Sequence, residues 1–217
     1  MERLICIVIG YAFGLIQCGY IYGKLHSVDI RKQGSGNAGA TNALRTMGLK
    51  AGAVTFLGDC FKCVFAIATV YLLYGSTYGD IFPVLAMYTG MGSVLGHNYP
   101  FYMSFKGGKG IAVTAGLLIS TVNIYMVLVC LVAFVGIVAA TRYVSLGSLA
   151  VVTIYLAEVI LYGQMGGFGV EAPYLYEIYA VAALVMVSAF YKHKTNIQRL
   201  LTGTENKISF GKRNNDK

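Results

Sequence analysis

From Ile111 to Ala140 the chain reads IAVTAGLLISTVNIYMVLVCLVAFVGIVAA, an apolar run without a charged residue. At about 1.5 Å per residue, one helix of this run would be roughly 45 Å long, too long for a simple crossing of a hydrocarbon layer about 30 Å thick. Two helices of about 14 residues each would instead form a hairpin turning near Thr121-Val122-Asn123, or a re-entrant pair if too short to span.

Loop charge decides between these readings. The other apolar stretches place spans near 4–22, 51–74, 81–97, 147–163 and 174–191. With a single crossing at 111–140, Lys24, Arg31, Lys32, Arg45, Lys50, Lys106 and Lys109 lie on one side. Arg142, Lys192, Lys194, Arg199, Lys207, Lys212, Arg213 and Lys217 lie on the other, seven against eight. With a turn, all share one face, and the opposite loops 75–80 and 163–173 hold no Lys or Arg. Cytoplasmic loops carry the excess of Lys and Arg, so the turn is favoured. The expected architecture is an all-α integral membrane protein of seven transmembrane helices, the fourth and fifth short and hairpin-like. Its N-terminus lies outside and its C-terminus in the cytoplasm.

Composition agrees. Of 217 residues, 57% are hydrophobic and 12% charged, against about 25% charged in soluble domains, and the mean hydropathy is +0.65. The length suits one bundle over 1–217, with a basic tail from about 192. Leu4 to Tyr22 is followed by no clear small-x-small cleavage site and reads as the first span, retained. The +8 net charge sits in loops and tail, which fits anionic lipids or substrates better than nucleic acid. The five cysteines lie in apolar segments, and Cys60-Phe61-Lys62-Cys63 reads as core filling despite its CxxC spacing. No carboxylate or Cys/His set has ligand spacing, so no metal and no cofactor are expected.

Three polar clusters interrupt the apolar pattern, and the charge-derived topology gathers them on the cytoplasmic face with Ser145. In the first, Gly34, Ser35, Gly36, Asn37, Gly39, Thr41 and Asn42 precede Arg45. Its glycines allow an anion nest of N–H groups, with Arg45 as a fork for phosphate; a flexible loop capped at Thr41 or Asn42 is the competing reading. The second runs from His97 to Lys106-Gly107-Gly108-Lys109-Gly110 and opens onto the helix at Ile111. A helix N-terminus suits an anion, but this is no Walker A loop, because Gly110 stands where Ser or Thr belongs. The two lysines also read as positive-inside anchors. The third places His193 and Asn196 on one helical face, within a segment that also reads as a solvated basic stretch. Asp59 and Lys62, three apart within the second span, read as an ion pair. Glu205 reads as a clamp on the tail bases, and Glu158 has no assigned role.

Ser35-Gly36-Asn37-Ala38-Gly39-Ala40-Thr41-Asn42, Gly96-His97 with Phe105-Lys106-Gly107-Gly108-Lys109-Gly110, and Asn196-Ile197 with Arg199-Leu200-Leu201-x-Gly203-x-Glu205 resemble the PlsY family in order and spacing. Its members are bacterial acyl-phosphate:glycerol-3-phosphate acyltransferases. The resemblance implies transfer of a fatty acyl group from acyl phosphate to the 1-hydroxyl of glycerol 3-phosphate. Lysophosphatidic acid and phosphate leave, without coenzyme A or carrier protein as donor. It implies a multi-pass protein of the bacterial cell membrane with a cytoplasmic active site, surrounded by membrane lipid and supplied by an acyl-phosphate-forming enzyme. The catalytic group expected is Ser35, Arg45, Lys109, Ser145, His193 and Asn196. Gly34, Gly36, Asn37, Thr41, Asn42, His97, Lys106, Gly107, Gly108 and Gly110 are expected to bind substrate phosphate. Direct attack by the glycerol hydroxyl competes with an acyl-enzyme on Ser35. A transporter for small phosphorylated solutes is the alternative from another class.

Overall fold

The computed structural model describes residues 1–208, and every regular element among them is helical. The tail bases Lys212, Arg213 and Lys217 lie outside the described residues. In chain order the helices are α1 (Glu2–Gly14), α2 (Cys18–Leu25), α3 (Ala40–Met47), α4 (Leu49–Tyr74) and α5 (Phe82–Asn98). They continue with α6 (Ile111–Thr121), α7 (Ile124–Thr141), α8 (Val144–Gln164), α9 (Ala172–Lys192) and α10 (Lys194–Leu201). Among the described residues five segments are long and apolar enough to cross a membrane: Glu2–Leu25, α4, α7, α8 and α9.

The run 111–140 does break, at Val122-Asn123. Val122 is extended, and the Asn123 side chain accepts from the Met126 N–H at 3.1 Å, capping α7. The arms differ from the expected equal pair. α6 has 11 residues, but α7 has 18 and reaches about 27 Å, so the fifth helix is not short. Nor do the arms pair. α6 packs against α4 and α5, while α7 packs against α8 and barely meets α6.

The expected first span 4–22 is also interrupted. Gln17 is fully buried at the break between α1 and α2, and its Nε2 donates to Gly14 O and to His97 O at 3.0 Å. Lys62 Nζ donates to Gly14 O at 3.2 Å and Ile16 O at 2.5 Å. Backbone carbonyls released inside an apolar layer must find partners, and these two side chains supply them.

Four glycines bring α1 and α5 into main-chain contact. A Cβ at Gly10 would lie 2.0 Å from Thr89 O, and one at Gly14 2.3 Å from Ser93 O. From the other side, a Cβ at Gly92 would lie 2.3 Å from Ile7 O, and one at Gly96 2.2 Å from Tyr11 O. This is a reciprocal small-xxx-small crossing, which lets helices pack where no hydrophobic driving force between them operates. The largest core cluster lies beside it, with Met87, Leu117, Tyr155, Ile178 and Val181 buried together. At one end of the bundle Arg3 is paired with Glu177, Nη2 to Oε2 at 2.9 Å. The polar clusters lie at the other.

Candidate active site

The loop before α3 is built around one amide. Asn42 is 2% exposed; its Nδ2 donates to Ile30 O, Gln33 O and Asn37 O at 2.9–3.1 Å, and its Oδ1 accepts from the Ser35 N–H at 2.9 Å. The Gly36 N–H goes to Gln33 O and the Gly39 N–H to Asn37 Oδ1, both at 3.0 Å. Gly34 and Gly36 hold φ of +57° and +71°, which a side chain would strain. The amides expected to form an anion nest are therefore largely spent on shaping the loop. What the loop presents is side chains, chiefly Ser35, Asn37 and Thr41. Arg45 follows on α3, its Nη2 donating to Asn206 O at 3.2 Å, with burial drawing its pKa below the ordinary value.

The second glycine loop serves His97. The Gly108 N–H donates to His97 O at 3.0 Å and the Gly107 N–H to Asn98 O at 3.3 Å. A Cβ at Gly108 would stand 2.0 Å from His97 Nε2, and one at Gly107 2.0 Å from His97 O. These glycines permit a close approach of protein to protein. Lys106 is exposed, and neither it nor Gly34, Gly36, Gly107 or Gly108 lines the cavity described below. Lys109 turns inward, and its Nζ donates to Asn196 Oδ1. Burial, only partly offset by Glu205, pulls the Lys109 ammonium down to about 8.

Beyond α9 the His193 Nδ1–H donates to Ala189 O at 2.8 Å, so Nε2 is the unprotonated nitrogen of a neutral ring. Burial, with the Lys109 charge nearby, lowers its pKa to about 4. Asn196 joins Lys109 to Glu205, donating from Nδ2 to Glu205 Oε1 at 2.8 Å. The other oxygen of Glu205 accepts from Arg199 Nε at 3.1 Å. The chain then doubles back: the Ile208 N–H donates to Arg142 O at 2.8 Å, tying the tail to the α7–α8 junction.

These segments enclose a cavity of about 130 Å³. Its wall takes Ser35, Asn37, Thr41, Asn42 and Arg45 from the first cluster, and His97, Lys109 and Gly110 from the second. Ser145, Ser148, His193, Asn196, Arg199 and Glu205 complete the polar lining. Phe56 of α4 and Phe134 of α7 form an apolar flank. Asp59 is also in the wall, held by Lys62. Sequence reasoning marked the Asp59–Lys62 pair by its spacing, but helical periodicity alone did not say that one member faces the site. Ser148 and the two phenylalanines carried no signal beyond belonging to apolar helices.

Arg45, Lys109 and Arg199 place three cations around the space against the carboxylates of Asp59 and Glu205, a balance suited to anionic ligands. The Ser145 hydroxyl is buried without a partner among the described residues. His193 directs its N–H to a main-chain carbonyl, so no carboxylate backs the ring as a serine triad requires. The arrangement suits positioning and charge stabilisation more than an activated enzyme nucleophile.

Comparison with known proteins gives a uniform result. The family model described as glycerol-3-phosphate acyltransferase matches residues 4–203. The glycerol-3-phosphate acyltransferase of Clostridioides difficile is 41% identical over 206 residues, covering 94% of this chain and 95% of that one. That of Halalkalibacterium halodurans is 43% identical over 210 residues, with 96% and 97% covered. Two crystal structures of PlsY, an integral membrane glycerol 3-phosphate acyltransferase, share the fold. The glycerol 3-phosphate form has a TM-score of 0.82 at 32% identity, and the lysophosphatidic acid form 0.80 at 31%. Each comparison covers 96% of both chains.

Proposed function

This chain belongs to the glycerol-3-phosphate acyltransferase family, and we propose that its acyl donor is an acyl phosphate and its acceptor atom the 1-hydroxyl of glycerol 3-phosphate. It is a multi-pass membrane acyltransferase; the donor, the residue roles and the orientation are our reading. The observation that carries it is the single cavity into which three sequence-distant clusters deliver three cations beside an apolar flank. Such a space suits two phosphates whose lipid tail remains among the helices.

The acceptor oxygen attacks the acyl carbonyl, the bond from that carbon to the phosphate oxygen breaks, and the hydroxyl proton leaves with the phosphate. The donor is a mixed anhydride with a good leaving group, so no covalent enzyme intermediate is needed. Ser35, Asn37 and Thr41 with Arg45 hold one phosphate. Lys109, positioned by Asn196 and aided by Arg199, holds the other, and the Gly110 turn delivers Lys109 to it. Ser145 donates toward the carbonyl oxygen as charge builds there. Neutral His193 accepts a hydrogen bond through Nε2. Asn42, Gly34 and Gly36 shape the first loop, while Gly107 and Gly108 seat His97; their contribution to phosphate binding is indirect.

Seven crossings, an outside N-terminus and a cytoplasmic site in the bacterial inner membrane fit the loop charges. We read residues 1–217 as one catalytic unit, supplied by an enzyme that makes acyl phosphate. The test is purified protein in detergent with palmitoyl phosphate and labelled glycerol 3-phosphate, without coenzyme A or carrier protein. Lysophosphatidic acid and free phosphate are expected together, and both are lost in Lys109→Ala. Product that forms only from an acyl thioester would overturn the donor assignment.

A further inference from the structure

The mechanism gives the two wall carboxylates no contact with substrate: Glu205 is held through both oxygens by Asn196 and Arg199, but Asp59 is not. Asp59 is 1% exposed. Its Oδ1 accepts from Lys62 Nζ at 2.8 Å, while its Oδ2 is buried without a partner among the described residues. A buried carboxylate oxygen left unpaired carries its full desolvation cost, so a ligand that supplies a donor there gains a strong hydrogen bond.

The surroundings define that donor. Lys62 has three protons and four acceptors within reach: Asp59 Oδ1, Ile16 O, Gly14 O and His97 Nδ1 at 2.9 Å. It has none left for a ligand. His97 accepts from Lys62 through Nδ1, so its proton is on Nε2, the nitrogen nearest Gly108. A phosphate oxygen is repelled by Asp59, whereas a hydroxyl suits it. Of the acceptor's two hydroxyls, the reacting one must lose its proton. The leaving phosphate is at hand to take that proton, which leaves the non-reacting hydroxyl for the free oxygen of Asp59.

We infer that Asp59 accepts a hydrogen bond from the non-reacting secondary hydroxyl of glycerol 3-phosphate, making it the residue that distinguishes this acceptor from phosphorylated alcohols lacking that group. The inference rests on the family reading of the acceptor but is independent of the donor.

Equilibrium binding, measured calorimetrically in detergent without any donor, tests it with glycerol 3-phosphate and with 3-hydroxypropyl phosphate, which lacks the secondary hydroxyl. Wild-type protein is expected to bind the analogue about 10- to 100-fold more weakly, the span of one hydrogen bond to a charged group. In Asp59→Asn the amide carbonyl keeps the contact to Lys62 and an N–H₂ replaces the free oxygen. The secondary hydroxyl can then only accept a neutral hydrogen bond from that N–H₂, so the ratio between the two ligands should fall by at least about threefold. Equal binding of both ligands by the wild type overturns the inference without any variant, as does an unchanged ratio in a folded Asp59→Asn. If the amide does not fold, Asp59→Glu keeps the charge opposite Lys62 and displaces the carboxylate. Its ratio should fall, and a wild-type ratio there also overturns the assignment. Wild-type protein that binds neither ligand sinks the acceptor reading and the inference together, whereas failure of the acyl-phosphate assay leaves this comparison intact.

Discussion

Replacing Lys62 with Met keeps a similar length and volume but removes the ammonium that Asp59, Ile16 O, Gly14 O and His97 Nδ1 share. Both members of the ion pair are almost fully buried, at 3% and 1% exposure. Removing one partner of such a pair typically costs about 3–5 kcal/mol, because the remaining charge is stranded. The freed carbonyls at the α1–α2 break add to the loss rather than offset it. For a chain of this size about 1 kcal/mol moves Tm by roughly 2–4 °C, so Lys62→Met should lower it by about 6–20 °C. The chain has no tryptophan, but its five thiols are buried or half-buried in helices, so a thiol-reactive dye reports unfolding. Asp59→Asn combined with Lys62→Met removes the stranded charge and should recover at least about 2 kcal/mol of the single-variant loss. A Tm drop below 4 °C in Lys62→Met, or a double variant no more stable than the single one, would refute the reasoning.

Gly108→Ala drives a methyl into the His97 ring and should cost about 1–3 kcal/mol as well as most phosphate release, by displacing Lys109; normal turnover would deny the loop its packing role. Lys109 is a cation only below about 8 in the free protein, so kcat/KM for glycerol 3-phosphate should fall about tenfold per pH unit above that. The fall should move to higher pH in kcat, because bound phosphate favours the charged form, and vanish in Lys109→Arg. His193, with its pKa near 4, should add no break between pH 5 and 7. Gly92→Leu should abolish the folded protein, since even its Cβ would meet Ile7 O at 2.3 Å. Gly79→Ala, with nothing within 4 Å, should leave the Tm unchanged in the same dye assay.

The turn at Thr121-Val122-Asn123 was legible because an apolar run too long for one crossing had to turn where its polar residues were, and loop charge required it. The gathering of Ser35, His97, Ser145 and Asn196 followed from the same alternation. The interruption at Leu15–Gln17 was not legible, because the group that donates to its stray carbonyls, Lys62, lies 46 residues beyond Ile16. Gly107 and Gly108 misled for a related reason: glycine marks a close approach, but not whether the neighbour is a ligand or the protein's own histidine. Lys106 and Lys109 are alike in composition, and only the local turn sends one to the surface and the other to Asn196. The length of α7 was hidden because an uncharged apolar run shows no sharp boundary for either arm, and the Asn123 cap sets the turn nearer the start of the run.

The crossing of α1 and α5 has a further consequence, for motion. Carbonyl oxygens of each helix sit where the other has only a glycine Cα, so sliding either helix by one residue would drive a side chain into main chain. The joint therefore behaves as a fulcrum rather than a bearing, and His97 stands one residue beyond it. The less constrained parts of the cavity wall are α7, whose packing is almost wholly with α8, and the returning tail at Arg142. The floor of the cavity is thus held by main chain against main chain, and its rim by side chains and one returning stretch of backbone.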